Sequence, residues 1–467
     1  MKRTPLSLLA HWAGGELHGE DVSIDSVGND TRALYPGSLY VALRGEHFDG
    51  HDFAYDAVMR GAAAVLVDHA VARVRAPQVV VADTRLALAK IAAGMQQGRT
   101  GKVVAITGSN GKTSVKTLLA SILRRAGNAY FNPGNRNNEI GLPLAVIDAP
   151  DDADFAIYEM GAGQPGDIAY LTGVVRPDVA LVNNVAAAHL ERMGSLMGVA
   201  ETKGAILSAL ADDGVAVVNA DDAFAEYFVG LAGGRRIVRF GIESSADVSA
   251  RDVRLHDGGS DFRIVAPQGE TQVELRLPGH HNVLNALAAA SLALACGVSL
   301  QTVAEGLAAA QPVAGRQVAH VLAGGAVLID DSYNANPGSL AAAIDTLAAS
   351  RGGEAWLALG DMRELGPEGE ALHADAGRRA KAAGIRRLYA LGPLSAAAAR
   401  AFGEGARTFD SHAALAEALR ADVAAAGVPP RILVKGSRGS AMDRIVAAML
   451  ASPNDGRKGR ENASHAA

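Results

Sequence analysis

The hydrophobic pattern contains an unbroken apolar and β-branched run over residues 103–107. Such a run predicts a buried strand of a parallel sheet. Small and polar residues follow at 108–111, and from 115 to 125 the apolar residues recur at helical spacing. The pattern therefore predicts a strand, a tight turn and a helix in direct succession.

The turn in this unit carries the chemistry of a phosphate-binding loop. It ends in Gly111-Lys112-Thr113, and glycine lets backbone N–H groups close around phosphate oxygens at the start of a helix. Lysine supplies a charge for the outer phosphates, and the threonine hydroxyl can bind Mg²⁺. A full phosphate loop would have glycine at position 106, where this chain has Ile106. A plain tight turn is therefore the alternative interpretation.

Two later apolar runs are followed by residues that could bind a metal ion. Residues 155–159 predict a strand that ends in Glu159, and the run at 177–185 predicts a second strand before His189. The carboxyl ends of parallel strands meet at one edge of a sheet, where ligands bind. A glutamate and a histidine beside a phosphate loop form a candidate Mg²⁺ site, although either residue alone is usually structural. Lys203 falls where a helix is predicted to start, a position at which lysine is normally solvated.

The chain beyond residue 313 predicts an open, mostly parallel sheet, because strands and helices alternate there. Polar strings follow its predicted strands at 330–337, 359–366 and 434–439. No G-x-G-x-x-G sequence follows the first of these strands, so a dinucleotide cofactor is not implied. The strands are predicted at 326–330, 355–359, 387–391 and 431–434, and the helices near 338–349, 368–383, 411–425 and 440–450.

The rest of the pattern divides the chain into further parts. Residues 1–98 predict a small α/β domain with a glycine-hinged polar loop at 48–53, and residues 96–101 predict a linker. Strands at 237–240, 262–265 and 273–277 predict a small antiparallel section. The Asn- and Gly-rich segment 132–143 cannot be a helix or a central strand, and a substrate-facing loop and a turn-rich connection remain equal alternatives.

Composition narrows the class of protein. With 467 residues and 49% hydrophobic content, the chain predicts about three packed domains at ~150 residues each. The net charge of -6 argues against a dedicated nucleic-acid or membrane-surface protein. No apolar run is long enough for a signal peptide or a membrane span, and a single cysteine excludes an internal disulfide. We therefore expect a soluble, cytoplasmic protein, with a disordered polar tail at 452–467.

Four strings together resemble the Mur ligase family, the ATP-dependent amide-forming enzymes that build the peptide stem of the bacterial cell wall. These strings occupy residues 107–114, 132–138, 331–337 and 360–366, and the resemblance extends to about residue 450. The family's phosphate loop is shortened, which accounts for Ile106. The resemblance implies a three-domain α/β architecture. A small N-terminal α/β UDP-binding domain (1–98) precedes a central P-loop ATPase-like domain that binds ATP (99–313) and a C-terminal Rossmann-like domain (314–451).

The resemblance also implies roles for individual residues. The residues implied to be catalytic are Lys112, His189, Lys203 and Arg316. Those implied to bind ATP are Gly108, Ser109, Asn110, Gly111, Lys112, Thr113, Ser114, Asn282, Arg316, Asp331, Tyr333, Asn334 and Asn336. Those implied to hold Mg²⁺ are Thr113, Glu159, His189 and Lys203, the last at the family's carbamylated lysine. Those implied to bind the other substrates are Thr31, Arg32, Gly45, Asp49, Gly50, His51, Asn135, Asn137 and Asn138. The family usually has glutamate two positions after this lysine, where the chain has Ala205.

The activity implied is that of the family member that joins D-alanyl-D-alanine to UDP-N-acetylmuramoyl-tripeptide through an acyl phosphate. The products would be UDP-N-acetylmuramoyl-pentapeptide, ADP and phosphate, and we expect a monomer with no nucleic-acid partner. The alternatives are an earlier Mur ligase, a folylpolyglutamate synthase, or a nucleotide-binding regulatory or scaffold protein that has lost ligation. Phosphate release that requires both peptide substrates would separate the ligase from the binding protein.

Overall fold

The computed structural model describes residues 1–451, and the tail predicted at 452–467 lies outside the described residues. Three large sheets, each packed against helices, follow one another along the chain, and the predicted α/β fold is confirmed. We refer to residues 1–98, 99–313 and 314–451 as the N-terminal, central and C-terminal regions. Within residues 1–451, every helix is too short or too polar to cross a membrane.

The N-terminal region contains a two-stranded pair and a five-stranded sheet. Its elements in chain order are β1 (Thr4–Pro5), α1 (Leu6–Ala13), β2 (Glu16–His18), β3 (Ser23–Ile24), β4 (Ser26–Gly28), β5 (Ser38–Val41), a 3₁₀ turn (Gly50–Phe53), α2 (Ala54–Met59), β6 (Ala64–Val67), β7 (Gln78–Val80) and α3 (Thr84–Gln97). Strand β1 pairs with β3, and the larger sheet has the order β2-β7-β6-β5-β4. Its strands are parallel except for the β2–β7 pair.

The central region is built on a nine-stranded sheet of order β16-β15-β14-β13-β12-β11-β8-β10-β9. The sheet is parallel from β14 to β9, and β14, β15 and β16 form an antiparallel extension. Its elements in chain order are β8 (Lys102–Thr107), α4 (Lys112–Ala126), β9 (Ala129–Phe131), α5 (Gly141–Asp148), β10 (Phe155–Glu159), α6 (Asp167–Val175), β11 (Val179–Val182), α7 (Leu190–Met193), α8 (Leu196–Ser208), β12 (Val215–Asn219), α9 (Ala225–Ala232), β13 (Arg236–Gly241), β14 (Val248–His256), β15 (Gly259–Ala266), β16 (Gly269–Leu275), α10 (His280–Ala295) and α11 (Leu300–Ala309).

The C-terminal region is built on a six-stranded sheet of order β17-β18-β22-β19-β20-β21, parallel except for the β17–β18 pair. Its elements in chain order are β17 (Val318–Val321), β18 (Val327–Asp331), α12 (Pro337–Ala349), β19 (Ala355–Gly360), a 3₁₀ turn (Gly366–Glu368), α13 (Gly369–Ala382), β20 (Arg387–Leu391), α14 (Ser395–Phe402), β21 (Ala406–Phe409), α15 (His412–Ala425), β22 (Arg431–Lys435), a 3₁₀ turn (Arg438–Ser440) and α16 (Asp443–Leu450). The four strands and four helices predicted here are all present.

The position of β8 decides where the site lies. Strand β8 is flanked by β10 and β11, and all three run in the same direction. In register, Ile106 pairs with Glu159 and Thr107 with Val182. The turn after β8 therefore opens between the carboxyl ends of two neighbouring strands, which is where parallel sheets bind ligands.

Four sequence predictions of local structure were wrong. The segment 132–143 was predicted not to be helical, but its last three residues form the start of α5 (Gly141–Asp148). Helix α8 begins at Leu196 rather than near residue 200, because the Ser195 hydroxyl caps it by accepting from the Gly198 N–H. The predicted linker at 96–101 is shorter, since α3 continues to Gln97. The strand at 237–240 is β13, which is parallel to β12 because helix α9 crosses over between them. Strands β14, β17 and β21 and helix α14 were not predicted.

One apolar core joins the N-terminal and central regions. Buried residues of α1 and α3, among them Leu9 and Leu88, belong to the same cluster as Leu142 of α5 and Leu171 of α6. The opposite face of the central sheet has its own core, and the C-terminal sheet has a core on each face. The first two regions therefore pack as a continuous body.

Candidate active site

The turn between β8 and α4 has the backbone of a phosphate-binding loop. Gly111 is the N-cap of α4 and has a φ of 78°, a conformation that favours glycine. A Cβ at this position would lie 2.3 Å from Asn285 Oδ1 and 2.5 Å from Asn183 Nδ2. Both the left-handed backbone and the close approach of these side chains therefore require glycine here.

Lys112 places its ammonium inside this loop. Its Nζ donates to the carbonyl oxygen of Gly108 at 2.6 Å and to that of Ser109 at 3.4 Å. Burial lowers the pKa of Lys112, with Glu159 acting to raise it and Arg316 to lower it further. The loop thus holds a desolvated lysine at its centre, where it can meet phosphate oxygens.

Asparagine side chains fix the loop to the strands and helix around it. The Asn110 N–H donates to Asn184 Oδ1 at 2.8 Å, and Asn183 Nδ2 donates to the Asn110 carbonyl at 3.0 Å. Asn183 Nδ2 also donates to Asn285 Oδ1 at 3.1 Å, and Asn285 Nδ2 donates to Asn282 Oδ1 at 3.2 Å. A chain of carboxamides therefore links the loop, the end of β11 and the first turns of α10.

Thr113, Glu159 and Arg316 meet directly. The Thr113 hydroxyl donates to Glu159 Oε2 at 2.9 Å, and Arg316 Nη2 donates to Thr113 Oγ1 at 2.9 Å. Burial acts to raise the pKa of Glu159, but the cationic Lys116, Lys112 and Arg316 outweigh it and the pKa is lowered. A hydroxyl and an ionised carboxylate are hard oxygen donors of the kind that Mg²⁺ prefers, so this donor set fits that ion.

Lys116 forms a buried ion pair with the same carboxylate. Lys116 Nζ lies 3.1 Å from Glu159 Oε2, and both side chains are almost fully buried. The ammonium also donates to the Asn132 carbonyl at 2.9 Å, while Asn137 Nδ2 donates to Glu159 Oε1 at 2.9 Å. The Asn-rich segment therefore holds the side chain of Glu159 in place. This contact favours the interpretation of the segment as a substrate-facing loop over the interpretation as a turn-rich connection.

His189 and Lys203 are the other two predicted metal ligands. His189 precedes α7 with a φ of 56°, and its Nδ1 contacts Glu364 Oε2. Burial lowers the pKa of His189, Glu364 acts to raise it, and the charge of Lys203 lowers it further. Lys203 on α8 is 1% exposed rather than solvated as predicted. Burial, followed by the charge of Lys112, holds the pKa of Lys203 well below its usual range.

The C-terminal region completes the site. The Arg316 guanidinium lies over the Tyr333 ring, 4.3 Å from its centroid. Asn336 caps α12 and also donates from Nδ2 to Asn110 Oδ1 at 2.7 Å. Asp331 at the end of β18 pairs with Lys435 at the end of β22, with 2.6 Å between Oδ2 and Nζ.

A cavity of about 720 Å³ lies between the central and C-terminal regions. The predicted site residues that line it are Ser109, Asn110, Gly111, Lys112, Thr113, Ser114, Asn137, Asn138, Glu159, His189, Asn282, Arg316, Asp331, Tyr333, Asn334 and Asn336. Its basic side chains Lys112, Arg316 and Lys435 suit it to a polyphosphate. Gly108, Lys203 and Asn135 do not line it, although the charge of Lys203 lowers the pKa of His189 and the charge of Lys112 lowers that of Lys203.

The predicted substrate residues of the N-terminal region form a separate cluster. The Asp49 carboxylate accepts from the His51 N–H at 3.0 Å and from Arg44 Nε at 3.1 Å. The Gly50 carbonyl accepts from the buried Tyr40 hydroxyl at 3.0 Å. Burial, followed by the charges of Asp30 and Asp49, raises the pKa of Tyr40 to about 12. Thr31 and Arg32 follow β4, which pairs with the strand β5 that carries Tyr40. These residues do not line the cavity.

Sequence reasoning missed several residues that build the site. They are Lys116, Asn183, Asn184, Asn285, Glu364 and Lys435. Two lysines stand in the first turns of α4 with no acidic residue in its first turn. Cations are unfavourable at a helix N-terminus. The two lysines without a nearby acidic residue were therefore the feature of the sequence that could have indicated a buried partner for Lys116.

The fold and the cavity define a nucleotide-dependent enzyme whose candidate site lies between two regions. The Mur ligase middle domain model matches residues 106–293. The Mur ligase glutamate ligase domain model matches 315–438, and the Mur ligase family catalytic domain model matches 23–96.

Whole-chain comparisons agree with these matches. A relative from Escherichia coli (strain K12), named UDP-N-acetylmuramoyl-tripeptide--D-alanyl-D-alanine ligase, is 44% identical over 445 residues, covering 95% of this chain and 98% of the relative. The crystal structure of MurF from Acinetobacter baumannii superimposes with a TM-score of 0.91 at 32% identity, covering 96% of this chain and 99% of that one. MurF ligase from Thermotoga maritima in complex with ADP gives a TM-score of 0.81 at 26% identity, covering 91% and 96%. The chain belongs to the Mur ligase family of ATP-dependent ligases, and the expected three-domain architecture is confirmed.

Proposed function

We propose that the chain joins D-alanyl-D-alanine to UDP-N-acetylmuramoyl-tripeptide at the expense of ATP, giving the pentapeptide nucleotide, ADP and phosphate. The observation that carries this proposal is the cavity in which Lys112, Thr113 and Glu159 of the central region meet Arg316 of the C-terminal region. The similarity to the Escherichia coli relative supports the choice of substrates.

The residues of the cavity account for the first step. The terminal carboxylate of the tripeptide attacks the γ-phosphorus of ATP, an O–P bond forms, and the bond to the β-phosphate oxygen breaks. Lys112 and Arg316 stabilise the charge on the transferring phosphoryl group. The backbone N–H groups of the loop at 108–114 hold the neighbouring phosphates. Asn282 and Asn285, which line the cavity, would contact the nucleotide.

In the second step the amine of D-alanyl-D-alanine attacks the acyl phosphate. The tetrahedral intermediate loses phosphate, and the nitrogen gives up a proton as the amide forms. Arg316, Tyr333, Asn334 and Asn336 come from the C-terminal region, so closure of that region completes the site. Closure would also exclude water from the acyl phosphate.

Thr113, Glu159, His189 and Lys203 are the residues that would hold Mg²⁺, which would neutralise developing phosphate charge when bound. Lys203 would take part as a carbamate, because its lowered pKa favours the neutral amine that captures CO₂. The cluster of Thr31, Arg32, Gly45, Asp49, Gly50 and His51 would bind the UDP end of the substrate. Asn135, Asn137 and Asn138 would face its peptide. We further propose that the enzyme is a monomer and that it acts in the cytoplasm, where ATP is present.

An isotope experiment tests this function. The protein is incubated with ATP, Mg²⁺, D-alanyl-D-alanine and UDP-N-acetylmuramoyl-tripeptide labelled with ¹⁸O in its terminal carboxylate. A pentapeptide product by mass, with one ¹⁸O transferred to phosphate, is expected. A product without label in the phosphate would contradict the acyl-phosphate route. No product with either a lysine or a diaminopimelate tripeptide would contradict the choice of substrate.

A further inference from the structure

The loop after β19 brings Glu364 of the C-terminal region onto His189 of the central region. The Glu364 carboxylate contacts His189 Nδ1, and the Glu364 carbonyl accepts from the Glu191 N–H at 3.4 Å. The adjacent Gly366 lies against the Glu191 backbone, since a Cβ there would be 3.6 Å from Glu191 Cα. The contact is therefore part of a packed interface between two loops that are distant in sequence.

Both residues of this contact have an uncommon backbone. The φ of His189 is 56° and that of Glu364 is 61°, in the left-handed region that non-glycine residues rarely adopt. Such outliers persist only where the surrounding structure fixes them, and they concentrate at functional sites. His189 and Glu364 both have this uncommon conformation, and they contact each other across the interface. We therefore attribute the backbone conformation of both residues to the contact between them.

Stability does not explain the contact. The Glu364 side chain is 51% exposed and that of His189 is 33% exposed, and ion pairs at such exposure contribute little. Orientation does explain it. A carboxylate only accepts hydrogen bonds, so the proton of this contact is on Nδ1, and the lone pair of Nε2 is left free. His189 lines the cavity, where that lone pair could bind a metal ion.

We propose that Glu364 is a positioning residue that fixes the tautomer and ring orientation of His189 for metal binding, and that docking of the C-terminal region delivers it. This inference rests on the proposed Mg²⁺-dependent function. The C-terminal region would then orient a metal ligand, in addition to its proposed contacts with the nucleotide. The affinity of the site for metal would then depend on the position of that region.

The test uses the full chain with saturating ADP and Mn²⁺ as the metal probe, followed by electron paramagnetic resonance of the free ion. Glu364→Ala removes the acceptor and should weaken Mn²⁺ binding by about 10-fold or more, the usual effect of losing such a partner. Glu364→Gln keeps an oxygen that can accept from Nδ1–H and should lose less. Glu368→Gln is the matched control, because Glu368 lies in the following 3₁₀ turn, is exposed and does not line the cavity.

A second readout reports on His189 itself. In ¹⁵N spectra of histidine-labelled protein, with His189 identified by His189→Gln, the wild type and Glu368→Gln should show the Nδ1–H tautomer, and Glu364→Ala should lose it. Equal Mn²⁺ binding by wild type and Glu364→Ala, or an unchanged tautomer of His189 in Glu364→Ala, would overturn the positioning role of Glu364. Either result would leave the proposed function untouched. Failure of the wild type to bind Mn²⁺ with ADP would overturn the metal assignment in the proposed function as well.

Discussion

Lys116 Nζ lies 3.1 Å from Glu159 Oε2, and this ion pair is buried beneath the phosphate loop. Lys116 belongs to α4, the helix that the loop starts, and Glu159 ends the neighbouring strand β10. The pair therefore joins the two elements that carry the proposed metal and phosphate ligands. Because the same carboxylate accepts from Thr113 and Asn137, the orientation of Glu159 depends on all three partners.

Removing only one member of this pair should be strongly destabilising. Lys116→Met leaves a buried carboxylate without its main counter-ion, which typically costs about 3–5 kcal/mol. The double variant Lys116→Met/Glu159→Gln removes both charges and should lose less than the sum of the single variants. Urea unfolding of the two single variants and the double variant measures this coupling. Strictly additive losses would show that the two groups do not act as a pair.

The pair also predicts how stability depends on pH. The folded protein lowers the pKa of Glu159, so the stabilisation is present above the unfolded pKa of about 4.3 and is lost as pH falls through the folded value. The difference in unfolding free energy between the wild type and Glu159→Gln should therefore be constant near neutral pH and shrink on acidification. Urea unfolding across an acidic pH series measures it. A difference that grows towards low pH would contradict the direction of the shift.

Arg316 should be needed for turnover more than for nucleotide binding. It donates to Thr113 and lies over the Tyr333 ring, and lysine has neither the planar fork nor the reach to do both. Arg316→Lys should lower kcat for phosphate release by about 10²–10³-fold, with a smaller change in ADP affinity by calorimetry. Arg254→Lys, an exposed position on β14, is the control and should match the wild type. A wild-type kcat in Arg316→Lys would remove Arg316 from the mechanism.

Lys203 should carry a carbamate. Its burial and lowered pKa make the neutral amine accessible. Protein equilibrated with ¹³C-bicarbonate should show a carbamate resonance in ¹³C spectra that is absent from Lys203→Arg. The resonance should persist in Lys90→Arg, because Lys90 is an exposed lysine of α3. A spectrum of Lys203→Arg that is the same as that of the wild type would contradict the assignment.

Local pattern was enough to predict most of the central and C-terminal sheets. The β8–turn–α4 unit and the strand ending at Glu159 are confirmed, and the run predicted at 177–185 contains the shorter strand β11, because each has a continuous apolar run bounded by polar residues. The missed strands β17 and β21 are edge strands with partly exposed residues. An edge strand lacks the continuous apolar run that makes a buried strand recognisable.

The contacts that complete the site could not be predicted in the same way. Lys203 appeared solvated in the sequence, and it is buried only because α8 packs its Val199, Ile206 and Leu207 against the core. The contact between His189 and Glu364 joins residues 175 positions apart. Such contacts depend on how sheets and regions pack together, which the local pattern of apolar residues does not encode.

Phosphate release from ATP and Mg²⁺ tests the central claim most directly. The rate is measured with both UDP-N-acetylmuramoyl-tripeptide and D-alanyl-D-alanine, with each one alone, and with neither. Rapid release only when both are present, abolished in Lys112→Ala, is the result expected of a ligase whose chemistry depends on this loop. Release that is independent of D-alanyl-D-alanine, or that survives in Lys112→Ala, would contradict the account.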